Sequence, residues 1–385
     1  MAQLIVCNFS ENQILLNPLL PSTESLELTQ LAEDILSQHS LKHHVVLATS
    51  GSTQLPGSSS KLVFLSQEAL LTSAAAVNEH LQVSQQDLWY NTLPAFHVGG
   101  LGIWLRAYLL GNKVISPMEG ANYKWSSHQF VEDITSTRAT LTSLVPTQVY
   151  DLLQAGLMAP RSLRAVLVGG GRLEVSLYEK ARSLGWPLLP SYGMTECCSQ
   201  IATATLASLG EQSFPEMKIL NHVSFEIEDE KVFLRSKSLL TGYGQVLNGV
   251  KKFWDPKDQK KRFELEDSVQ ISQGHLSVLG RKGDFVKISG ESLNLSYLRE
   301  KLSESLLVLG ENAQEYHLMA QEDERSGAII ILVTTNKNEL RAKQIADNYK
   351  SRVLPVAKIR EIYYVDEIPR SALGKVLEKK IKLGD

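Results

Sequence analysis

Ala48-Thr49-Ser50-Gly51-Ser52-Thr53 follows directly on an apolar run, and a hydroxyl- and glycine-rich turn in that place can offer backbone N–H groups and side-chain hydroxyls to an anion. Taken alone, such a loop is more often an ordinary surface turn. A Walker A loop is excluded, because Gly51 and Gly57 have the wrong spacing and no Gly-Lys-Ser/Thr follows. A second candidate is Gly169-Gly170-Gly171, which ends the apolar run Leu167-Val168. Three glycines remove side chains and let a flat ring approach the backbone, whereas a plain strand-to-helix turn needs only one. The cysteines are Cys7, Cys197 and Cys198, and the adjacent pair neither forms an easy disulfide nor has the spacing of zinc ligands.

The elements that must carry these loops are legible in outline. Residues 43–191 alternate short β-branched runs with amphipathic stretches, the pattern of βαβ units around a largely parallel sheet. VVLATSG reads as a buried strand entering a loop, SQEALLTSAAAVNEHL as a helix capped by Ser66 with Glu68 in its first turn, and WYNTLP as the next strand. RAVLVGGG followed by LEVSLYEKARSLG repeats the unit. Beyond about residue 220 the alternation in VSFEIEDEKVFLRS, RFELEDSVQIS and HLSVLGR predicts a small antiparallel β region. After Arg281 come strand DFVKIS, helix LSYLREKLSESL, strand GAIIILVTT, helix NELRAKQIADNYKSRV and a closing strand IREIYYVDEIP. The expected fold class is α/β, with a large N-terminal domain over 1–281 and a small α+β domain over 282–385.

The chain is 43% hydrophobic and 21% charged, which argues for ample core and against disorder. A net charge of −3, with basic residues clustered only at Lys251-Lys252 and Lys260-Lys261-Arg262, argues against nucleic acid as a partner. The start MAQLIVCNFSENQ does not read as a signal peptide, and Arg106 interrupts GIWLRAYLLG, so no membrane span is expected. A reducing, cytoplasmic setting fits the cysteine usage.

At the hydroxyl-rich loop the chain begins to resemble the acyl-adenylate-forming superfamily of acyl- and aryl-CoA ligases, luciferases and peptide-synthetase adenylation domains. The family's phosphate loop reads Thr-Ser-Gly-Thr-Thr-Gly-x-Pro-Lys-Gly. Here the first five positions match, with the hydroxyl of Ser52 in place of a threonine's, and the second half, from Gln54 to Lys61, departs from it, leaving Lys61 as the equivalent lysine. Further motifs follow in the family's order: LPAFHVGGL with His97, LVGGG, PSYGMTE, Asp267, the Gly280-Arg281 pair, and PRSALGK with Lys375.

The resemblance implies a role for each. Thr49, Ser50, Gly51, Ser52, Thr53 and Lys61 would hold phosphate, and Gly169, Gly170 and Gly171 would flank adenine and the acyl group. Tyr192 and Gly193 would lie on the adenine ring, Thr195 would reach the α-phosphate, and Glu196 would ligate Mg²⁺. Asp267 would take the ribose hydroxyls, with Arg281 beside it, although Glu264 and Glu266 leave open a solvated acidic strand. His97 would gate an acyl pocket shared with Gly170 and Ser199. Gly283 stands where relatives carry a hinge side chain, and Gly290, with Lys287 and Glu291 nearby, would face the pantetheine of CoA. Lys375 would place its charge between carboxylate and α-phosphate, where two anions repel; without its context, Gly-Lys before Glu378 reads as a solvated helix start.

The implied reaction joins a carboxylic acid to AMP from ATP and then to CoA, the small domain being mobile and rotating about Gly283 between the halves. LPAFHVGGLGIW, LVGGGRLE and PSYGMTECCSQIAT are similar to the o-succinylbenzoate–CoA ligases of quinone biosynthesis, and Ser199, Thr203 and Arg172 are candidate anchors for that acid's second carboxylate. Relatives carry a long subdomain before the phosphate loop, so an abbreviated N-terminal subdomain is expected, residues 15–36 supplying a turn and a helix or two. Two alternatives stay open. One is the same chemistry on another aryl or short acyl carboxylate. The other is a nucleotide-binding relative without catalysis, against which stands the intact set Thr195, Glu196, Asp267, Arg281 and Lys375.

Overall fold

The apolar run that precedes the hydroxyl-rich loop is the strand His44–Thr49, in which Val45, Val46 and Leu47 are buried. A computed structural model describes residues 10–49, 60–117, 124–211, 213–281, 284–288, 291–323, 325–371 and 374–383. The strand pairs antiparallel with Lys61–Ser66, His44 opposite Ser66 and Thr49 opposite Lys61. This departs from the expected βαβ start. KLVFLS is a short, continuous apolar run, and such a run fits a buried strand of either direction, so periodicity cannot choose between them. The two strands lie inside a five-stranded sheet, with Gln13–Leu15 on one side and Gly242–Leu247 then Val250–Trp254 on the other. Residues 15–36 contribute most of one helix, Ser22–Gln38, whose Leu28, Leu31, Ala32, Ile35 and Leu36 pack on Val46, Leu62 and Phe64. At roughly 2 kcal/mol for each large aliphatic side chain removed from water, that face holds the helix in place.

From Ser66 onward the local logic holds. Ser66 caps the helix Gln67–His80, its Oγ accepting from Ala69 N at 3.2 Å, and Glu68 sits in the first turn. Five strands then run parallel, in the order Lys113–Ile115, Leu88–Asn91, Leu141–Leu144, Ala165–Val168, Leu188–Met194. Alternate residues of these strands serve opposite faces. Trp89, Leu141, Ala165, Leu167 and Leu189 pack with Val77, Ile103 and Ala107 of the helices Gln67–His80 and Val98–Leu110. Tyr90, Leu144, Val166, Val168 and Leu188 pack with residues of Ser127–Thr137, Pro146–Gln154 and Val175–Ser183. A parallel sheet buried on both faces is what near-continuous apolar strands require. It continues antiparallel through Ser199–Thr203, Met217–Ile219 and His275–Arg281.

The expected small antiparallel region exists as Val223–Glu228, Lys231–Ser236 and Phe263–Glu264. Contacts divide the chain into one unit of Met1–Leu265 with Ile271–Ser277, and a second of Glu266–Gln270 with Val278–Asp385. In the second, the pair Phe285–Ile288 and Glu291–Asn294 leads into the helix Leu295–Leu309, capped by Asn294. Tyr316–Asp323, Gly327–Thr334 and Ile359–Tyr364 form a three-stranded sheet. This sheet and the helices Leu295–Leu309 and Glu339–Lys350 close a core around Leu298, Leu302, Ile330, Leu332 and Ile345. Among the described residues no helix is long and apolar enough to cross a membrane.

Candidate functional site

The strand order creates a switch point. From Leu88–Asn91 the chain crosses one face through Val98–Leu110 to Lys113–Ile115, then returns across the other face through Ser127–Thr137 to Leu141–Leu144 on the opposite side. In open α/β sheets the crevice outside the carboxyl ends at such a point takes the ligand. The loops at that edge carry His97, Gly169–Gly171 and Tyr192–Glu196, each just after a parallel strand or at its end.

His97 occupies the N-cap position of Val98–Leu110 but makes no side-chain cap bond. Its ring lies 4.7 Å from that of Phe96, its Nε2 is buried without a partner among the described residues, and burial lowers its pKa to about 4. The ring is therefore neutral at pH 7, with a polar atom left for a ligand. At the next edge position Gly170 has φ of +77°, and Gly169 leaves only 2.8 Å between an added Cβ and Ser191 Oγ, which donates to Val168 O. Gly171 makes ordinary contacts.

Leu188–Met194 ends in a bulge at Tyr192 and Gly193, and a Cβ on Gly193 would stand 2.0 Å from Ser199 O. Glycine is required there by backbone approach, whatever the ligand. Thr195 opens a single 3₁₀ turn, Thr195–Cys197, after which Cys198 and Ser199 both hold positive φ, 57° and 141°. Two such residues in succession are a strained elbow, the kind of backbone kept where side chains must be placed. Leu240 N donates to Glu196 O at 2.8 Å, which fixes the turn from the other side.

The antiparallel strands do what the loop sequence could not reveal. Thr49 Oγ1 donates to Lys61 O at 3.2 Å, so the first and last members of the phosphate-loop set meet across one ladder. Lys61 Nζ lies 3.9 Å from the ring centroid of Tyr243, and Tyr243 Oη donates to Glu196 Oε1 at 2.7 Å. Lys61 and Glu196 are thus linked through one buried tyrosine. Ser50, Gly51, Ser52 and Thr53 lie outside the described residues. Among the described residues no three His, Cys, Asp or Glu side chains group as a metal site. One hard carboxylate beside a hydroxyl suits Mg²⁺, which takes one or two carboxylates and draws its remaining ligands from phosphate and water.

Of the candidate carboxylate anchors, Arg172 is exposed and 3.7 Å from Glu174, and Thr203 accepts from Gln200 Nε2 at 2.8 Å. Ser199 is buried 3.5 Å from Arg106 Nη2. Arg106 is the residue that sequence reasoning missed. It is 2% exposed, its Nη2 donates to Gln200 Oε1 at 2.7 Å, and its Nε and Nη1 have no partner among the described residues. Burial holds its pKa down to about 9, so the guanidinium still carries its charge at pH 7.

Asp267, Arg281 and Lys375 belong to the second unit. Asp267 begins the strand Asp267–Ser272 and is half-buried, whereas Glu266 is exposed and Glu264 pairs with Lys231 at 3.0 Å. Arg281 ends the strand His275–Arg281. Gly283 and Gly290 lie outside the described residues, between which Phe285–Ile288 carries Lys287 and beyond which Glu291 opens the next strand. Lys375 does not start a helix. It closes a tight turn in which Ser371 N donates to Lys375 O at 2.7 Å and Lys375 N to Ser371 Oγ at 3.2 Å, with Arg370 bridged to Val376. Glu378, three residues on, is held by Arg299 Nη2 at 2.5 Å and His317 Nε2 at 2.8 Å.

The chain is similar to several known proteins. The 2-succinylbenzoate–CoA ligase of Staphylococcus epidermidis is 27% identical over 319 residues, covering 82% of this chain and 65% of that protein, so the chain spans just under two thirds of its relative. The enzyme of the same name from Bacillus subtilis is 26% identical over 321 residues, covering 80% of this chain and 63% of that one. In fold, the chain is similar to the o-succinylbenzoate CoA synthetase of Bacillus subtilis in complex with an acyl-adenylate intermediate, with a TM-score of 0.72, 23% identity, and coverage of 89% and 70%. The family of AMP-binding enzymes matches residues 19–233, more than half of the 385-residue sequence, and the chain belongs to that family.

Proposed function

We propose that the chain is an ATP-dependent acid–CoA ligase that works through an acyl-adenylate, and that its acid is 2-succinylbenzoate. The observation that carries the acid's class is Arg106: a buried guanidinium with two unsatisfied nitrogens beside Ser199 calls for an anion that the protein's described residues do not supply. A dicarboxylate supplies it, one carboxylate reacting while the other pairs with Arg106. The names of the relatives from Staphylococcus epidermidis and Bacillus subtilis support the same acid.

In this reading Thr49 and Lys61 receive the nucleotide phosphates, Tyr192 stacks on adenine, Thr195 reaches the α-phosphate and Asp267 takes the ribose hydroxyls. Neutral His97 borders the acyl group with its free Nε2. Magnesium, when bound, neutralises phosphate charge and supplies a Lewis acid, and Glu196 is the side chain that would hold it. Lys375 is the cation assigned to the repulsion between carboxylate and α-phosphate, the point where fixed charge lowers the barrier most. Gly283 and Gly290 keep their proposed places at the pivot and the pantetheine. No covalent enzyme nucleophile enters, so positioning and charge neutralisation carry the rate.

The test is ATP–pyrophosphate exchange across a panel of acids, with thioester formation on adding CoA. 2-Succinylbenzoate should stimulate exchange most, and acids that keep the reacting chain but lack the second carboxylate should stimulate it about 100-fold less, the loss expected when a buried charge is left unpaired. Equal or stronger stimulation by such a monocarboxylate overturns the assignment.

A further inference from the structure

Tyr243 stands outside every motif in the sequence, yet it touches residues from two of them. We infer that Tyr243 is a positioning residue that turns the Glu196 carboxylate toward a nucleotide-bound magnesium ion and keeps Lys61 from collapsing onto it; this rests on reading the site as one for Mg·ATP.

The backbone of Glu196 is fixed by the 3₁₀ turn, the positive-φ elbow behind it and the bond from Leu240 N. What remains free is the side chain, and Tyr243 Oη takes one of its two oxygens at 2.7 Å. Holding Oε1 leaves Oε2 to face a metal, which is how a hydrogen bond behind a ligand fixes its orientation. Tyr243 can do this because it does not move. It is 6% exposed, it sits mid-sheet in register with Val63 on one side and Trp254 on the other, and its ring lies 5.4 Å from that of Trp254.

The same ring carries the ammonium of Lys61 on its face, 3.9 Å from the centroid. A lysine and a glutamate attached to the two ends of one side chain would otherwise attract each other. Paired, each would neutralise the charge that a nucleotide phosphate or a metal ion needs. An aromatic face offers the cation a favourable place without consuming an anion. With no three-ligand cluster among the described residues, the orientation of a single carboxylate decides how well the metal is held.

The experiment uses the full chain without acid or CoA, so that turnover plays no part. ATP binding is measured by calorimetry at a series of Mg²⁺ concentrations. Tyr243→Phe keeps the ring and loses the hydroxyl. It should need about tenfold more Mg²⁺ to reach half of its binding enhancement, ~1.4 kcal/mol, the size expected for one hydrogen bond to a charged group, while metal-free ATP binding is unchanged. Tyr243→Leu should add a weakening of metal-free ATP binding of about threefold through Lys61. Glu196→Gln and the double variant Glu196→Gln/Tyr243→Phe should respond to Mg²⁺ alike, because the tyrosine acts through the carboxylate. A Tyr243→Phe response matching wild type, or additivity in the double variant, overturns the inference while leaving the nucleotide reading in place. A wild-type chain that binds no ATP at any Mg²⁺ concentration overturns both.

Discussion

Replacing Arg106 by methionine should stabilise the protein and at the same time remove its anion anchor. The guanidinium is 2% exposed, and burial pushes its pKa well down from the ordinary arginine range, to about 9. At ~1.36 kcal/mol for each tenfold change in proton affinity, keeping that charge inside costs on the order of 5 kcal/mol. Methionine removes the charge and fills much of the stem's volume. Against the gain stand the loss of the donor to Gln200 Oε1, about 1–3 kcal/mol, and imperfect packing, about 1 kcal/mol. The balance favours the variant by roughly 1–3 kcal/mol, and at about 2–4 °C per kcal/mol for a unit of this size the melting temperature should rise by several degrees. Recognition moves the other way. Two charge-assisted hydrogen bonds to a carboxylate are worth ~3 kcal/mol or more together, so KM for 2-succinylbenzoate in pyrophosphate exchange should rise about 100-fold or more. Scanning calorimetry with and without the acid adds a second comparison: saturating acid should raise the melting temperature of the parent and not of Arg106→Met. A variant that melts lower than the parent and binds the acid as well as before would show that Arg106 is a structural residue and would remove the argument for a dicarboxylate.

Gly193→Ala should be severely destabilising, by about 3 kcal/mol or more, because its Cβ meets Ser199 O at 2.0 Å and the strained residues behind it cannot yield; a urea midpoint equal to the parent's refutes this. Acid should weaken the fold through His97 and His222, whose burial lowers both pKa values to about 4. The unfolded chain takes up these protons first, so stability is unaffected above about pH 6.5 and falls as the pH drops through that value toward 4, by up to ~3 kcal/mol for each ring. Urea titrations from pH 7 to 4 should show an acid limb that flattens in His97→Gln/His222→Gln; an unchanged limb rejects the assignment.

Local signals were readable in the sequence wherever one residue type settles one local conformation. Ser66 is a cap because its hydroxyl finds an N–H within the same turn, and the parallel strands announce themselves because both faces must be apolar. Direction was not readable at Lys61–Ser66, since the four-residue apolar run within it has no feature that distinguishes antiparallel from parallel pairing. The tight turn around Lys375 was masked by the charge that follows it. Glu378, Lys379 and Lys380 look like a solvated helix start, and they do form a single 3₁₀ turn, but Glu378 is drawn inward by Arg299 and His317, residues far off in the chain.

Arg106 and Tyr243 mark the limit more sharply. A lone arginine in GIWLRAYLLG is conspicuous, and it carries two readings: it interrupts the apolar run, and it places a charge inside a helix whose residues from Gly100 to Ala107 are all buried. The second reading follows from composition and helical burial alone, because a charge in such a setting has to find an anion or a dense set of acceptors. Tyr243 offers no comparable signal. It acts at 47 residues' distance on Glu196, and its partner Lys61 enters from a different strand, so nothing short of the sheet order connects them. In the proposed reading, motif residues such as Glu196 supply the charges that meet the ligand, and their type and spacing are what a sequence shows. The residues that orient those charges need only reach them in space, and they can come from whichever strand the fold happens to bring alongside.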